Sequence, residues 1–332
     1  MGNKLGWILS GVFVFIVITA AVILIINPFA SFDPVRLKPA DMKKIEISDK
    51  QFAHIVGSMP SGGGNAAEDY KLAVDLCDQI KDKLNDEKFL IEMYKPSARL
   101  DASTLAVCQK IRKHVQAGIS KKKMDYTLKY SSGPFISVSP EADELYNVSS
   151  AMTSLLLRHH FNQKDYDKCI AIARETLVLG WHMVSERGRA PMFRQGLAVQ
   201  QDSIEFLKVC YMKKGNEPKM NIAQDYGNLL VGAVSRYEIL AGAVNRQEAE
   251  PGDLVYMIEN SEDRMWKAEA IVWLKFIRDY TLDYDGSVKR KFGGILDKYR
   301  SSSDPYIKKA VKSVEENPKV GEELLRQWMG KG

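Results

Sequence analysis

Residues 142–181 have the sequence ADELYNVSSAMTSLLLRHHFNQKDYDKCIAIARETLVLGW, which carries the clearest structural signal in the chain. On both sides of the polar triplet Asn162–Lys164, apolar residues recur at steps of three and four, the period of an amphipathic helix. The two stripes consist of Leu145, Val148, Met152 and Leu155 before the triplet and of Tyr166, Cys169, Ile170, Ala173 and Leu177 after it. The pattern predicts a helix to about Phe161, a turn at 162–164, and a second helix from Asp165 to about Gly180, packed as an antiparallel hairpin.

The start of the second helix, KDYDKCIA at 164–171, resembles the tetratricopeptide family. In that family a turn followed by an aromatic and a small residue begins the second helix of each pair. Here Tyr166 is the aromatic residue, and Cys169 stands where the small residue is usual. The resemblance covers residues 141–180, and it implies helix-pair packing and a groove for peptides.

A second local resemblance lies near the carboxyl end, at 303–314. The sequence SDPYIKKA at 303–310 is similar to the start of a HEAT-type repeat helix, in which Asp caps, Pro begins the helix and an aliphatic residue packs. Asp304, Pro305 and Ile307 occupy those positions. This resemblance implies an α-solenoid-like arrangement.

Most of the chain after residue 65 shows the same helical period, so we predict an all-α domain over 65–330, built from antiparallel hairpins as a solenoid or a bundle. The period is lost between Lys121 and Ser139, where β-branched residues surround a Ser-Ser-Gly-Pro sequence. A small extended excursion or hairpin is expected near 121–139. The helical domain could also be subdivided at 119–139.

An apolar segment precedes this domain. The 21 residues from Gly6 to Ile26 include no charged side chain, and a helix of that length spans the hydrocarbon core of a bilayer, about 30 Å. We therefore predict a tail at 1–5 and a transmembrane anchor at 6–27, in contact with lipid through residues that include Trp7, Ile8, Phe13, Phe15 and Ile26. A cleaved secretion signal is the alternative, but the apolar run is longer than a signal core.

The orientation of this anchor is open to two interpretations. Lys4 precedes the apolar segment, whereas Arg36, Lys38, Lys43 and Lys44 follow it, and this count places the large domain in the cytoplasm. A short tail before a single apolar helix is, however, typical of a signal anchor, and long domains translocate largely regardless of charge. We favour a single-pass protein of the cell membrane with an extracytoplasmic domain.

Prolines and glycines interrupt the chain at 28–64, which we interpret as a stalk that contains one short helix capped by Ser48. Gly62-Gly63-Gly64 closes the stalk. The lysine and hydroxyl residue of a phosphate-binding loop are missing after these glycines, so no cofactor site is expected there. Asn65 and Glu68 stand three residues apart before an apolar stripe and are predicted to cap the first helix of the domain.

Residues with catalytic or metal-binding chemistry are sparse. The four cysteines are at least thirty residues apart and lie among apolar neighbours, which favours buried free thiols over disulfides. His159 and His160 diverge by about 100° on a helix and cannot share a metal ion, so we expect one of them to face solvent. Trp181-His182 and Ser185-Glu186-Arg187 near a helix end could line a cleft, or they could form a half-exposed helix surface. We find no catalytic, cofactor or metal motif.

These observations favour a non-enzymatic function. With 47 basic and 42 acidic residues the charge is mixed, which is unlike a nucleic-acid-binding face. The hypothesis is a membrane-anchored helical protein that binds or scaffolds a protein partner. The alternatives are an enzyme of unrecognised type with its site in a cleft between helices, and an envelope-structural protein without a ligand.

Overall fold

The computed structural model describes residues 37–125, 140–186, 190–245, 251–280 and 286–316. These ranges are mostly helical, which confirms the predicted all-α class. The α-helices are α1 (Asp49–Val56), α2 (Ala66–Cys77), α3 (Lys81–Asn85), α4 (Glu87–Glu92), α5 (Ala102–Ile119), α6 (Pro140–Ser150), α7 (Arg158–Asn162), α8 (Tyr166–Glu186), α9 (Ala190–Lys213), α10 (Glu217–Asn245), α11 (Pro251–Asn260), α12 (Arg264–Tyr280), α13 (Gly286–Arg300) and α14 (Pro305–Glu316). A 3₁₀-helix (Asp78–Ile80), a π-helix (Ala151–Leu157) and the strands β1 (Gly62–Asn65) and β2 (Lys121–Lys123) complete the described elements.

The predicted helical hairpin at 142–181 is present. Helix α6, the π-helix and α7 follow one another without a break, and α8 packs back against the π-helix. The turn between α7 and α8 is closed by Asp165, whose backbone N–H donates to the carbonyl of His160 at 3.0 Å, while Lys164 takes a left-handed φ of 61°. The turn lies one residue later than predicted, and α8 extends to Glu186.

Helix α9 returns along α8 and packs most closely where two glycines meet. A Cβ on Gly196 would lie 2.9 Å from the carbonyl oxygen of Gly180, so the two backbones touch at this point. Helix α9 also contacts α6 and α10, and its buried residues join one hydrophobic cluster with those of its neighbours. Helix α9 thereby joins α8 to α6 and α10.

The extended segment predicted near 121–139 is present in part, and its pairing differs from a hairpin. Strand β2 pairs in parallel with β1, so the glycines predicted to be a linker form a strand. The N–H of Gly62 donates to the carbonyl of Ser120 at 2.9 Å, and a Cβ on Gly62 would lie 2.6 Å from that same oxygen. Glycine is needed here because the two backbones approach so closely. Residues 126–139 lie outside the described ranges.

From Leu37 onward, the segment predicted as a stalk lies against the helical domain. Met42, Ile45, Phe52 and Ile55 are buried in the same hydrophobic cluster as the later helices. The carbonyl of Met42 accepts a hydrogen bond from the backbone N–H of Glu262 at 2.7 Å. The prolines limit helix length in this segment, but they do not prevent its apolar residues from packing.

The predicted membrane anchor, residues 6–27, lies outside the described ranges. Among the helices of residues 37–125, 140–186, 190–245, 251–280 and 286–316, none combines the length and the apolar character needed to cross a bilayer.

Candidate functional site

A polar groove of about 970 Å³ lies beside the end of α8. Segments distant in sequence form its walls: the chain before α1 and the first turn of α1, the end of α8, one residue of α10, and the residues that begin α12 and α14. The lining residues are Lys44, Glu46, Ile47, Ser48, Asp49, Gln51, Trp181, Val184, Ser185, Leu229, Glu262, Asp263, Arg264 and Asp304. We call this site the polar groove.

Three helices begin at the polar groove, and the caps of these helices account for part of its acidity. The Ser48 hydroxyl accepts from the backbone N–H of Gln51 at 3.3 Å and caps α1. Asp263 accepts from Met265 at 3.2 Å at the start of α12, and Asp304 accepts from Tyr306 at 2.9 Å at the start of α14. Each cap satisfies a helix N–H, and the two carboxylates complement the positive ends of their helix dipoles.

Trp181 forms an aromatic wall of the polar groove. Its ring stacks on buried Phe52 with a centroid distance of 5.4 Å and an interplanar angle of 22°. The indole N–H donates to Asp49 Oδ1 at 3.3 Å, which fixes the orientation of the ring. Trp181 therefore joins α8 to α1 and presents a partly exposed aromatic surface.

A second cluster braces the end of α8 beside the groove. Arg264 donates to the backbone carbonyl of Glu186 at 3.1 Å, and its guanidinium lies 4.2 Å from the centroid of the Tyr306 ring. The Tyr306 hydroxyl donates to the carboxylate of Glu186. Burial, with the neighbouring Glu186 adding to the effect, raises the pKa of Tyr306 well above its ordinary value, so the phenol remains a donor. Helices α8, α12 and α14 are thus joined by charged and aromatic contacts.

The lining of the groove carries more negative than positive charge. Its lining includes five carboxylates and two cations, and Glu46, Asp49 and Glu262 are exposed. The described lining includes no histidine or cysteine. The groove can therefore offer negative charge, an aromatic face and the apolar side chain of Leu229, which is 41% exposed, to a bound molecule.

The residues predicted to cap the first helix of the domain lie outside the polar groove. Asn65 occupies the N-cap of α2, where its Oδ1 accepts from the N–H of Ala67 at 3.1 Å. The same oxygen accepts from the backbone of Asp125 at 2.8 Å, so Asn65 also ties α2 to the segment after β2. Glu68 is exposed in the first turn of α2, where its charge complements the helix dipole. The anchor residues Trp7, Ile8, Phe13, Phe15 and Ile26 lie outside the described ranges.

The expectation that one of His159 and His160 faces solvent is wrong. Both side chains are buried, with ring centroids 5.3 Å apart. His159 Nδ1 accepts from the backbone N–H of Leu100 at 3.1 Å, because the chain before α5 covers this face of the hairpin. Burial lowers the pKa of both histidines. Among the described residues, no group of three His, Cys, Asp or Glu side chains is placed to hold a metal ion.

His182, next to the groove residue Trp181, is a core residue. It is buried between the Tyr70 hydroxyl, 2.6 Å from Nδ1, and the Lys121 carbonyl, 2.9 Å from Nε2. A carbonyl only accepts, so Nε2 carries the proton and Nδ1 accepts from Tyr70. Of the residues that the sequence identified as candidates for a cleft, Trp181 and Ser185 line the groove. His182 is buried in the core, Glu186 is bonded to Tyr306 beside the groove, and Arg187 lies outside the described ranges. Sequence reasoning missed Glu46 and Glu262, for which local sequence provides no signal.

No protein-family model, curated protein or solved structure matches this chain. The resemblances to tetratricopeptide and HEAT helices therefore gain no support from known proteins.

Proposed function

We propose that this chain is a single-pass membrane protein whose helical domain binds or scaffolds a protein partner through the polar groove. The observation that carries the proposal is the groove itself, with a volume of about 970 Å³ and walls from five separate segments. The hydrogen-bonded caps and the Arg264 cluster hold these walls together. A recognition site built on such rigid elements needs little ordering when a partner binds.

The chemistry of the lining favours protein over nucleic acid as the partner. Exposed Glu46, Asp49 and Glu262 would repel phosphate groups but attract lysine and arginine side chains. Trp181 and Leu229 add the aromatic and apolar contacts that carry much of the binding energy in protein interfaces. A partner segment that carries both cationic and apolar side chains fits this lining best.

The apolar segment at 6–27 supports location at a membrane, because 21 uncharged residues suffice to span it. The bilayer would then be the second partner of the chain. We place the domain on the extracytoplasmic side, since a short tail before a single apolar helix is typical of a signal anchor. The groove would then meet partners that are confined to the same membrane or to the space beside it.

Site-specific photocrosslinking tests the groove directly. Leu229→p-benzoylphenylalanine places a crosslinker in the groove lining, whereas Leu72→p-benzoylphenylalanine places it at a comparably exposed position on α2, 49% exposed and outside the lining. Each full-length variant is irradiated in its native membrane, solubilised and purified, and its adducts are identified by mass spectrometry. We expect one near-stoichiometric protein adduct for the Leu229 variant and none of that identity for the Leu72 variant.

Charge neutralisation provides the second arm of the test. The double substitution Glu46→Gln and Glu262→Gln, introduced beside the crosslinker, removes two exposed charges and keeps side-chain acceptors. Adduct yield should fall several-fold, while the matched pair Glu92→Gln and Glu205→Gln, outside the groove, leaves it unchanged. Equal adducts from positions 229 and 72, or no adduct at either, would contradict the proposal.

A further inference from the structure

A second concave site lies between helix α8 and the segment that follows α1. Its volume is about 310 Å³, which is at the small end of the range for ligand-binding cavities. Its walls come from the segment 56–61, from the end of α5 with the residue after it, and from three residues of α8. We call this site the arginine pocket, after Arg174. It shares no lining residue with the polar groove, because the first turn of α1 lines the groove and the last residue of α1 lines this pocket.

Two charged side chains line the arginine pocket, Arg174 and Glu175, and Glu175 is fully paired inside the protein. Its carboxylate accepts from Nε and Nη2 of Arg112 on α5, both at 2.8 Å, and from Nε2 of Gln116 at 2.8 Å. A bidentate pair with arginine is the strong form of such a contact. The negative charge of Glu175 is therefore compensated without a ligand.

Arg174 has no comparable partner. Its Nη2 donates to the hydroxyl of Tyr211 at 2.9 Å, which is a neutral acceptor. Among the described residues no carboxylate pairs with Arg174, and its Nε–H is buried without an acceptor. A partly buried charge without a counter-charge is costly, and a bound anion would offset that cost.

The rest of the lining combines hydroxyl groups with apolar side chains. Ser58 and Ser61 are exposed, so their hydroxyl groups can donate to a ligand. Met59, Ile119 and Val178 contribute apolar surface to the same pocket. An anion that carries a short apolar group complements both parts of this lining.

We propose that the arginine pocket binds a small carboxylate with a short apolar chain. The carboxylate accepts from the guanidinium of Arg174 and from the hydroxyl groups of Ser58 and Ser61, and the chain lies against the apolar side chains. Inorganic phosphate fits less well, because it has no apolar group to place against them. The volume of about 310 Å³ limits the ligand to a short chain. This site depends neither on the membrane location nor on a partner in the polar groove.

Isothermal titration calorimetry with four probes tests the class of ligand. Hexanoate, hexanamide, acetate and inorganic phosphate are each titrated into full-length protein in detergent, and protein-free micelles provide the blank. We expect saturable binding of hexanoate at one site. Hexanamide lacks the charge and acetate lacks the chain, so each should bind at least about tenfold more weakly. No saturable binding of hexanoate, equal affinity for hexanoate and hexanamide, or tighter binding of phosphate than of hexanoate would overturn the proposal.

The substitution Arg174→Gln tests the residue that carries the proposal. It removes the charge and keeps an amide that can donate to Tyr211. The affinity for hexanoate should fall at least about tenfold, while the weak binding of hexanamide stays nearly unchanged. Arg290→Gln, at an exposed position on α13, is the matched control and should leave the affinity for hexanoate unchanged. Equal affinity of the Arg174 variant and the native protein for hexanoate would contradict the proposal.

A steric variant keeps the test decisive if the Arg174 variant does not fold. Ser58 is exposed, so Ser58→Trp adds volume to the lining of the pocket without placing a large side chain in the core. It should abolish hexanoate binding while the Tm stays close to the native value. Ser301→Trp, at an exposed position outside the pocket, should bind hexanoate normally. Unimpaired hexanoate binding by the folded Ser58 variant would show that the ligand binds elsewhere.

Discussion

The hydroxyl of Tyr70 donates to Nδ1 of His182 at 2.6 Å, and this bond joins α2 to α8 in the core of the protein. Both side chains are buried, and the second ring nitrogen of His182 donates to the carbonyl of Lys121. The imidazole is therefore satisfied on both sides in its neutral form. It positions α8, which carries Trp181 into the polar groove.

The substitution Tyr70→Phe removes the hydroxyl group, keeps the aromatic ring, and should destabilise the protein. It leaves Nδ1 of His182 as a buried acceptor without a donor, which costs about 1–3 kcal/mol. Urea unfolding followed by circular dichroism measures the change in the free energy of unfolding. Tyr94→Phe, at a position 56% exposed, is the control and should change it by less than about 0.5 kcal/mol. Equal stability of the two variants would contradict a structural role for the Tyr70 hydroxyl.

Stability should depend on pH through the buried imidazole. Burial, opposed by the hydrogen bond to the Lys121 carbonyl, lowers the pKa of His182 to about 4. Because the unfolded chain protonates this residue near pH 6.5 and the folded chain does so only near pH 4, stability falls as the pH is lowered between these values. The loss for one proton is about 3 kcal/mol.

The variant His182→Gln isolates this contribution. Glutamine can accept from Tyr70 and donate to Lys121 but does not titrate, so its free energy of unfolding should fall less steeply between pH 6.5 and 4. His159 and His160, whose pKa values burial also lowers, contribute with the same sign in both proteins. Parallel curves of unfolding free energy against pH for the two proteins would show that His182 does not titrate in this way.

The helices could be predicted from sequence because their signals are local. The apolar stripes around 162–164 define a hairpin, and Asn65 marks a helix start by its side-chain chemistry. The groove could not be predicted in the same way, because residues distant in sequence, such as Lys44 and Asp304, line it together only after the chain folds. The prediction for His159 and His160 failed for the same reason. Helix geometry shows that their two side chains point in different directions, but the chain at Leu100 that covers them is distant in sequence.

Alanine substitutions at the neighbouring residues Gly62 and Gly63 should have different effects on stability. A Cβ on Gly62 would lie 2.6 Å from the backbone oxygen of Ser120, whereas a Cβ on Gly63 would have no neighbour within 4 Å among the residues that the structure describes. Gly62→Ala should therefore separate β1 from β2 and destabilise the protein by about 1–3 kcal/mol, because the clash involves backbone. Gly63→Ala should be close to neutral. Hydrogen exchange of the residue 62 amide, which bonds to Ser120, should accelerate only in the first variant; unchanged protection would contradict the predicted clash.

Alanine substitution at two helical glycines, Gly196 in α9 and Gly232 in α10, should change the stability of the protein in opposite directions. Gly196 lies at the contact between α8 and α9. A Cβ on Gly196 would lie 2.7 Å from the Cβ of Met183 and 2.9 Å from the carbonyl oxygen of Gly180, so the helices must separate to admit it. Gly196→Ala should lower the free energy of unfolding by about 1–3 kcal/mol, despite the better helix propensity of alanine. Gly232 lies on the exposed face of α10, where an added Cβ would have no neighbour within 4 Å in the described part of the chain. There the propensity gain acts alone, and Gly232→Ala should raise stability by about 0.5–1 kcal/mol. Denaturant unfolding of both variants measures the two signs; a stabilised Gly196→Ala protein would show that α8 and α9 are not in backbone contact at this point.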